Sequence, residues 1–159
     1  MLELKPMTPF DLEEVVQAEL RSYPFPWTHG VFVDSLAAGY RAWVGRDPDH
    51  GAIVAYGLMM MVLDEAHLLN LCVVPERQRQ GFGKHLLDFL FADARANGAK
   101  YMFLEVRLSN TVAREMYLHA GFAVIGERRG YYPAHYGRED AIVMSLDLCS
   151  ARQQQERAA

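Results

Sequence analysis

The chain has 159 residues, 51% hydrophobic and 23% charged, with two cysteines and a formal net charge of −4. That is the composition of one folded domain large enough to bury a core. It argues against a disordered chain, and no apolar run reaches the ~20 residues that a membrane-spanning helix needs. The acidic balance argues against nucleic acid as the main partner, and Cys72 and Cys149, far apart and without CxxC spacing, argue against a disulfide framework or a zinc knuckle.

Met1–Lys5 lacks the basic and apolar stretches of a secretory leader, so none is expected, and the reducing cytoplasm is the expected compartment. Residues 1–148 read as one domain and 149–159 as a polar C-terminal tail. Leu2–Lys5 is a strand candidate. Thr8-Pro9 opens a helix, with Thr as the cap and Pro in the first turn, and Leu12, Val15, Val16 and Leu20 form its apolar stripe. Tyr23-Pro24-Phe25-Pro26-Trp27 breaks it, and Thr28 caps a short helix through Leu36. Residues 41–45, 52–63 and 65–74 read as strands, rich in Val, Tyr, Trp and Met. A polar loop over 75–80 leads to a helix over 83–97 with Leu86, Leu87, Leu90, Phe91 and Ala94 on one face, closed by Gly98. Tyr101–Arg107 is a strand. Ser109 or Asn110 then caps a helix carrying Val112, Ala113, Met116, Tyr117 and Ala120, and residues 122–128 and 139–148 are closing strands. The order predicts a mixed sheet with helices on its faces, in the α/β (α+β) class.

The sharpest local signal is Val73-Val74-Pro75-Glu76-Arg77-Gln78-Arg79-Gln80-Gly81-Phe82-Gly83-Lys84. An apolar strand runs into a basic, glycine-bearing loop and directly into a helix. The first N–H groups of a helix have no intrahelical acceptor and carry partial positive charge, so phosphate binds there readily. A Walker A loop would need Gly at 78 and Ser or Thr at 85, where the chain has Gln78 and His85. A dinucleotide fingerprint would need Gly at 86, where the chain has Leu86. A surface turn with solvated arginines competes about evenly until the strand-loop-helix setting is counted.

Gln78-x-x-Gly81-x-Gly83 resembles the Q/R-x-x-G-x-G/A motif of the GNAT acetyltransferases, and the order of elements is also theirs from Leu2 to Leu148. The resemblance implies the acyl-CoA N-acyltransferase fold, with a single mixed, mostly antiparallel sheet flanked by helices. It implies acetyl-CoA as co-substrate and no metal. Arg79, Gln80, Gly81, Phe82, Gly83 and Lys84 would then hold the pyrophosphate, and Leu71, Cys72 and Val73 would run along the pantetheine arm and help polarise the acetyl carbonyl.

Period-2 alternation places Tyr101, Phe103, Glu105 and Arg107 on one strand face. Desolvation on a half-buried face would favour the protonated carboxyl and suit Glu105 as a base, while a structural pairing with Arg107 or another cation is the slightly favoured alternative. By spacing alone Tyr117 is a core tyrosine, Asn110 a helix cap and Cys72 a packing residue. The six histidines show no metal-ligand spacing.

Further stretches resemble one GNAT subgroup, the bacterial ribosomal-protein-alanine N-acetyltransferases. They are Phe25-Pro26-Trp27, Leu104–Arg107 with Ser109-Asn110, Tyr117 with Gly121-Phe122, Tyr131-Tyr132-Pro133, and Gly137–Ile142. This resemblance makes Glu105 the base, Tyr117 the acid and Asn110 a coenzyme contact. It implies direct transfer to the N-terminal alanine of small-subunit ribosomal protein eighteen, whose basic N-terminal peptide is the expected partner. Neither membrane nor nucleic acid is expected, and the protein is expected to be a monomer. The pair Val74-Pro75 departs from the acidic residue that many relatives carry before the Pro. Tyr131-Tyr132-Pro133 reads as a stiffened aromatic loop able to wall a peptide groove, with Trp27 as a possible opposite wall and Glu139 and Asp140 either attracting a basic peptide or simply solvated. The rival readings are the same chemistry on a lysine, polyamine or small-molecule amine, and a non-catalytic acetyl-CoA sensor.

Overall fold

The computed structural model describes residues 1–150, and residues 151–159 of the expected tail lie outside the described residues. Seven strands hydrogen-bond in the order β1-β2-β3-β4-β5-β7-β6, where β1 is Glu3–Pro6, β2 Arg41–Arg46, β3 Ile53–Val62, β4 Glu65–Val73, β5 Tyr101–Arg107, β6 Ala123–Pro133 and β7 Arg138–Asp147. The β1–β2, β2–β3, β5–β7 and β6–β7 pairs are antiparallel and β4–β5 is parallel, which is the mixed, mostly antiparallel sheet expected from sequence. The helices are α1 (Leu12–Ser22), α2 (His29–Ala37), α3 (Phe82–Ala96) and α4 (Thr111–His119). Contacts group the described residues into two compact units: Met1–Met60 with Leu69–Leu90, and Met61–Leu68 with residues 91–150.

In the first unit, Thr8 precedes a short 3-10 turn, Pro9–Asp11, rather than α1 itself, and the Asp11 carboxylate accepts the Thr8 N–H at 2.8 Å. The buried side of α1 also differs from the expected stripe. Leu12, Val15, Ala18 and Glu19 are buried, whereas Val16 is half-buried and Leu20 is 53% exposed. An acidic residue therefore occupies the inward position two helical turns after Leu12, and apolar periodicity cannot see it. Thr28 caps α2 as expected, its Oγ1 accepting the Val31 N–H at 3.3 Å. The α2 residue Phe32 is fully buried and lies edge-on to Tyr56 of β3 at 6.0 Å. In β3, a Cβ on Gly57 would stand 2.8 Å from Leu90 Cδ1, so this glycine lets α3 approach the strand closely.

In the second unit the parallel ladder runs from Glu65↔Tyr101 to Leu68↔Leu104, and β4 continues beyond it to Val73. The β5 alternation is as expected: Met102, Leu104 and Val106 are buried, while Phe103, Glu105 and Arg107 are half-buried on the other face. Tyr117 is the residue of α4 that buries fully, edge-on to Phe122 at 5.5 Å, and Phe122 in turn meets Phe91 at 5.9 Å. Val112, expected on the same stripe, is 71% exposed. Strand β6 runs longer than expected. Tyr132 pairs with Glu139 and Pro133 with Arg138, so Tyr131-Tyr132-Pro133 ends a strand rather than forming a loop. Arg138 stitches the hairpin by donating to the Gly130 and Tyr131 carbonyls at 2.5 and 2.9 Å.

Candidate active site

The candidate coenzyme loop lies in the first unit. A 3-10 turn, Pro75–Arg77, leads from β4 to Gln78, whose side-chain amide donates back to the Val73 carbonyl at 3.0 Å and ties the loop to the strand. Arg79 and Gly81 take left-handed backbone conformations, with φ of 62° and 81°. Phe82 begins α3, and the His85 N–H reaches the Gly81 carbonyl at 3.0 Å. The N–H groups of Phe82, Gly83 and Lys84 thus belong to the first helical turn, where no earlier carbonyl of the helix accepts them. A Cβ at Gly81 would meet nothing within 4 Å, so the loop presents open backbone of the kind an anion needs.

The loop's cations are not equivalent. Arg77 is ion-paired with the buried Asp47, and its guanidinium lies 5.1 Å from the Phe82 ring centroid. The Asp49 N–H and Arg77 hold Asp47 below the usual carboxylate range. Lys84 is exposed and stands 3.8 Å from Asp88. Arg77 is thus a strut of the loop, a role that counting charges in the sequence could not separate from anion binding.

Two backbone carbonyls of the segment Leu71–Val73 accept bonds from side chains. Tyr23 Oη donates to the Leu71 carbonyl at 2.6 Å, and Gln78 holds that of Val73. Burial pushes the Cys72 thiol up, against hydroxyl contacts from Ser22, Tyr56 and Tyr23. A buried neutral thiol enclosed by hydroxyls is a packing residue, in line with the reading from sequence.

The candidate acid and base lie in the second unit. Glu105, on β5, keeps a quarter of its side chain exposed and pairs with Arg128 at 3.3 Å. The alternative cation named from sequence, Arg107, turns instead to Glu139 at 3.1 Å and to the Pro133 carbonyl at 2.7 Å. Tyr117 is 7% exposed, and burial, followed by the neighbouring Tyr132, pushes its hydroxyl well above the ordinary tyrosine value. Burial and then Tyr131 and Glu105 push Tyr132 up to about 12. Tyr132 is therefore within electrostatic reach of both the Tyr117 hydroxyl and the Glu105 carboxylate. Asn110 caps α4, its Oδ1 accepting the Ala113 N–H at 3.2 Å, which leaves its amide NH2 for another partner.

Sequence reasoning missed the frame around Tyr132. Arg107 lies 4.4 Å from the Tyr132 ring centroid while bonding Pro133 and Glu139, and Glu139 also accepts the Ser109 N–H at 3.0 Å. Asp140 accepts the Gly130 N–H at 2.8 Å. Both half-buried acids thus brace the hairpin internally and are not simply solvated. The available signal was Arg107, on the same strand face as Glu105.

The profile of the Acetyltransferase (GNAT) family matches residues 12–122, and the chain belongs to that family. It is 38% identical over 138 residues to the ribosomal protein bS18-alanine N-acetyltransferase of Escherichia coli strain K12, covering 87% of this chain and 92% of that protein. The enzyme of the same name from Haemophilus influenzae is 35% identical over 139 residues, covering 87% of this chain and 93% of its own. The crystal structure of the Escherichia coli enzyme superposes with a TM-score of 0.86 at 36% identity, covering 93% of this chain and 94% of the other.

Proposed function

We infer that this protein is an acetyl-CoA-dependent N-acetyltransferase that modifies the α-amine of the N-terminal alanine of ribosomal protein bS18. The observation that carries the reading is 38% identity over 87% of the chain to an enzyme of that activity. The open loop at Arg79–Lys84 fits the coenzyme's pyrophosphate, and Leu71, Cys72, Val73 and Asn110 complete its contacts. When bound, acetyl-CoA supplies the activated acetyl thioester.

A peptide α-amino group titrates near pH ~7.7–8.0, so a modest base suffices to keep it nucleophilic. Glu105 takes the amine proton. The amine nitrogen bonds to the acetyl carbon, the carbon–sulfur bond breaks, and the electron pair leaves on sulfur. Tyr117 supplies the proton that sulfur takes up. A hydroxyl whose ionisation is suppressed by burial stays protonated at neutral pH, as a donor must. The reaction needs no covalent acyl-enzyme.

The test is mass spectrometry of a basic, alanine-initiated peptide incubated with the protein and acetyl-CoA. One acetyl group on the α-amine, absent with Glu105→Gln, is the expected product. Acetylation of a lysine in the same peptide, with the α-amine untouched, would move the reading to another amine. Coenzyme binding without turnover of any amine would make the protein a sensor.

A further inference from the structure

Besides Asp47, which pairs with Arg77 in the candidate coenzyme loop, one buried acid among the described residues stands outside the acid–base pair. Glu19, on α1, is 2% exposed. Three donors from three different segments converge on it. Tyr56 Oη of β3 bonds Oε2, and Asn70 Nδ2 of β4 reaches both oxygens at 3.3 and 3.2 Å. The Trp27 backbone N–H, in the turn between α1 and α2, reaches Oε1 at 3.3 Å.

A folded core has no need of such a group. Replacing a buried hydrogen-bonded group and its partners by apolar groups of the same shape can be nearly neutral for stability, or a gain. What a fully bonded polar cluster adds is fixed geometry. The geometry fixed here is that of the turn over 23–27 against the end of β4. Trp27 is held by Glu19 directly. Tyr23, at the other end of the turn, donates to the Leu71 carbonyl at 2.6 Å. Asn70 and Cys72, on either side of Leu71, both face the cluster, since the Cys72 thiol also meets the Tyr56 hydroxyl. The turn and the strand end are thus locked together around one carboxylate.

We propose that Glu19 is a positioning residue for acetyl transfer, setting the acceptor-amine side of the site by anchoring the turn over 23–27 to Asn70–Cys72. The proposal rests on the reading of Leu71–Val73 as the segment beside the acetyl group. A displaced turn would leave coenzyme binding at Arg79–Lys84 untouched and misplace the incoming amine, and misplacement by about 1 Å can cost on the order of a hundredfold in rate.

The experiment uses the full chain with Glu19→Gln, which keeps the shape, and Tyr56→Phe, which removes one donor and keeps the ring. Hydrogen exchange followed by mass spectrometry should rise about tenfold or more over residues 23–28 and 69–73 in both variants, with 101–107 unchanged. Acetyl-CoA Kd, held mainly by the loop at Arg79–Lys84, should change far less than KM for the alanine peptide, which should rise about tenfold, the size expected for an interaction of about 1.4 kcal/mol. Unchanged exchange over both segments would overturn the anchoring. A loosened turn with unchanged peptide kinetics would make Glu19 a structural brace and overturn the positioning role, as would a parallel loss of coenzyme and peptide binding. If the unmodified protein fails to acetylate the peptide, the function reading falls by itself, while the exchange data still decide the anchor.

Discussion

Tyr117 carries the argument at the scale of a residue. Its ring packs on Phe122 and its hydroxyl is the one chemical difference from phenylalanine, so Tyr117→Phe separates packing from proton donation. We expect kcat to fall about a hundredfold, within the range of general acid–base contributions, with the melting temperature unchanged. Because burial raises its ionisation above the ordinary tyrosine value near 10, the unmodified protein should show no fall in kcat from this group below about pH 10. A descending limb near neutrality that disappears in Tyr117→Phe would refute the assignment. Glu139 gives a second prediction. Its bonds from Ser109 and Arg107 hold its ionisation below the ordinary carboxylate value. A group with a depressed folded pKa stabilises the native state above its unfolded value and loses that contribution as pH falls through the folded one. Glu139→Gln should therefore melt below the parent at pH 7, and the gap should close below about pH 4 as the parent's Glu139 protonates. A gap independent of pH would mean that the carboxylate's charge is irrelevant to the brace.

At the scale of an element, the starts of α2 and α4 were legible, whereas the cap expected at Thr8 opens a 3-10 turn ahead of α1. Thr28 and Asn110 both cap as their residue types require, because a cap needs only a side-chain oxygen at one sequence position. The buried sides were less legible. On α1, Glu19 faces inward because partners from distant segments satisfy it, and no local pattern encodes partners 37 and 51 residues away. On β6, pairing with β7 and the Arg138 bonds carry the strand through Tyr131-Tyr132-Pro133, overriding the proline and tyrosine turn signal. Asn110 tests whether cap and coenzyme contact coexist. Asn110→Asp keeps the capping oxygen but removes the amide donors, whereas Asn110→Ala removes both. We expect Ala to cost about 1 kcal/mol of stability and Asp to cost little. Both should weaken acetyl-CoA binding severalfold, as measured by calorimetry. Full coenzyme affinity in Asn110→Asp would reduce Asn110 to a cap.

For the whole molecule, the family was readable because its motif is contiguous. The braces were not, because Arg77–Asp47 and Arg107–Glu139 join residues 30 and 32 apart. Those pairings also decide which charges remain to act at long range. With Glu139 and Asp140 engaged internally, the net charge of −4 is the term expected to draw a basic peptide at long range. Attraction of that diffuse kind is screened over a Debye length of about 10 Å at 0.1 M salt and about 3 Å at 1 M. It acts on encounter more than on the bound complex. The expected outcome is that kcat/KM for a basic alanine-initiated peptide falls severalfold as salt rises from about 0.02 to 0.5 M, a range over which the Debye length shrinks severalfold, through KM rather than kcat. A peptide of the same first residues with its basic side chains replaced by neutral ones should show little salt dependence. Equal salt profiles for the two peptides would show that a short-range contact recognises the basic residues, and would send the search back to individual carboxylates.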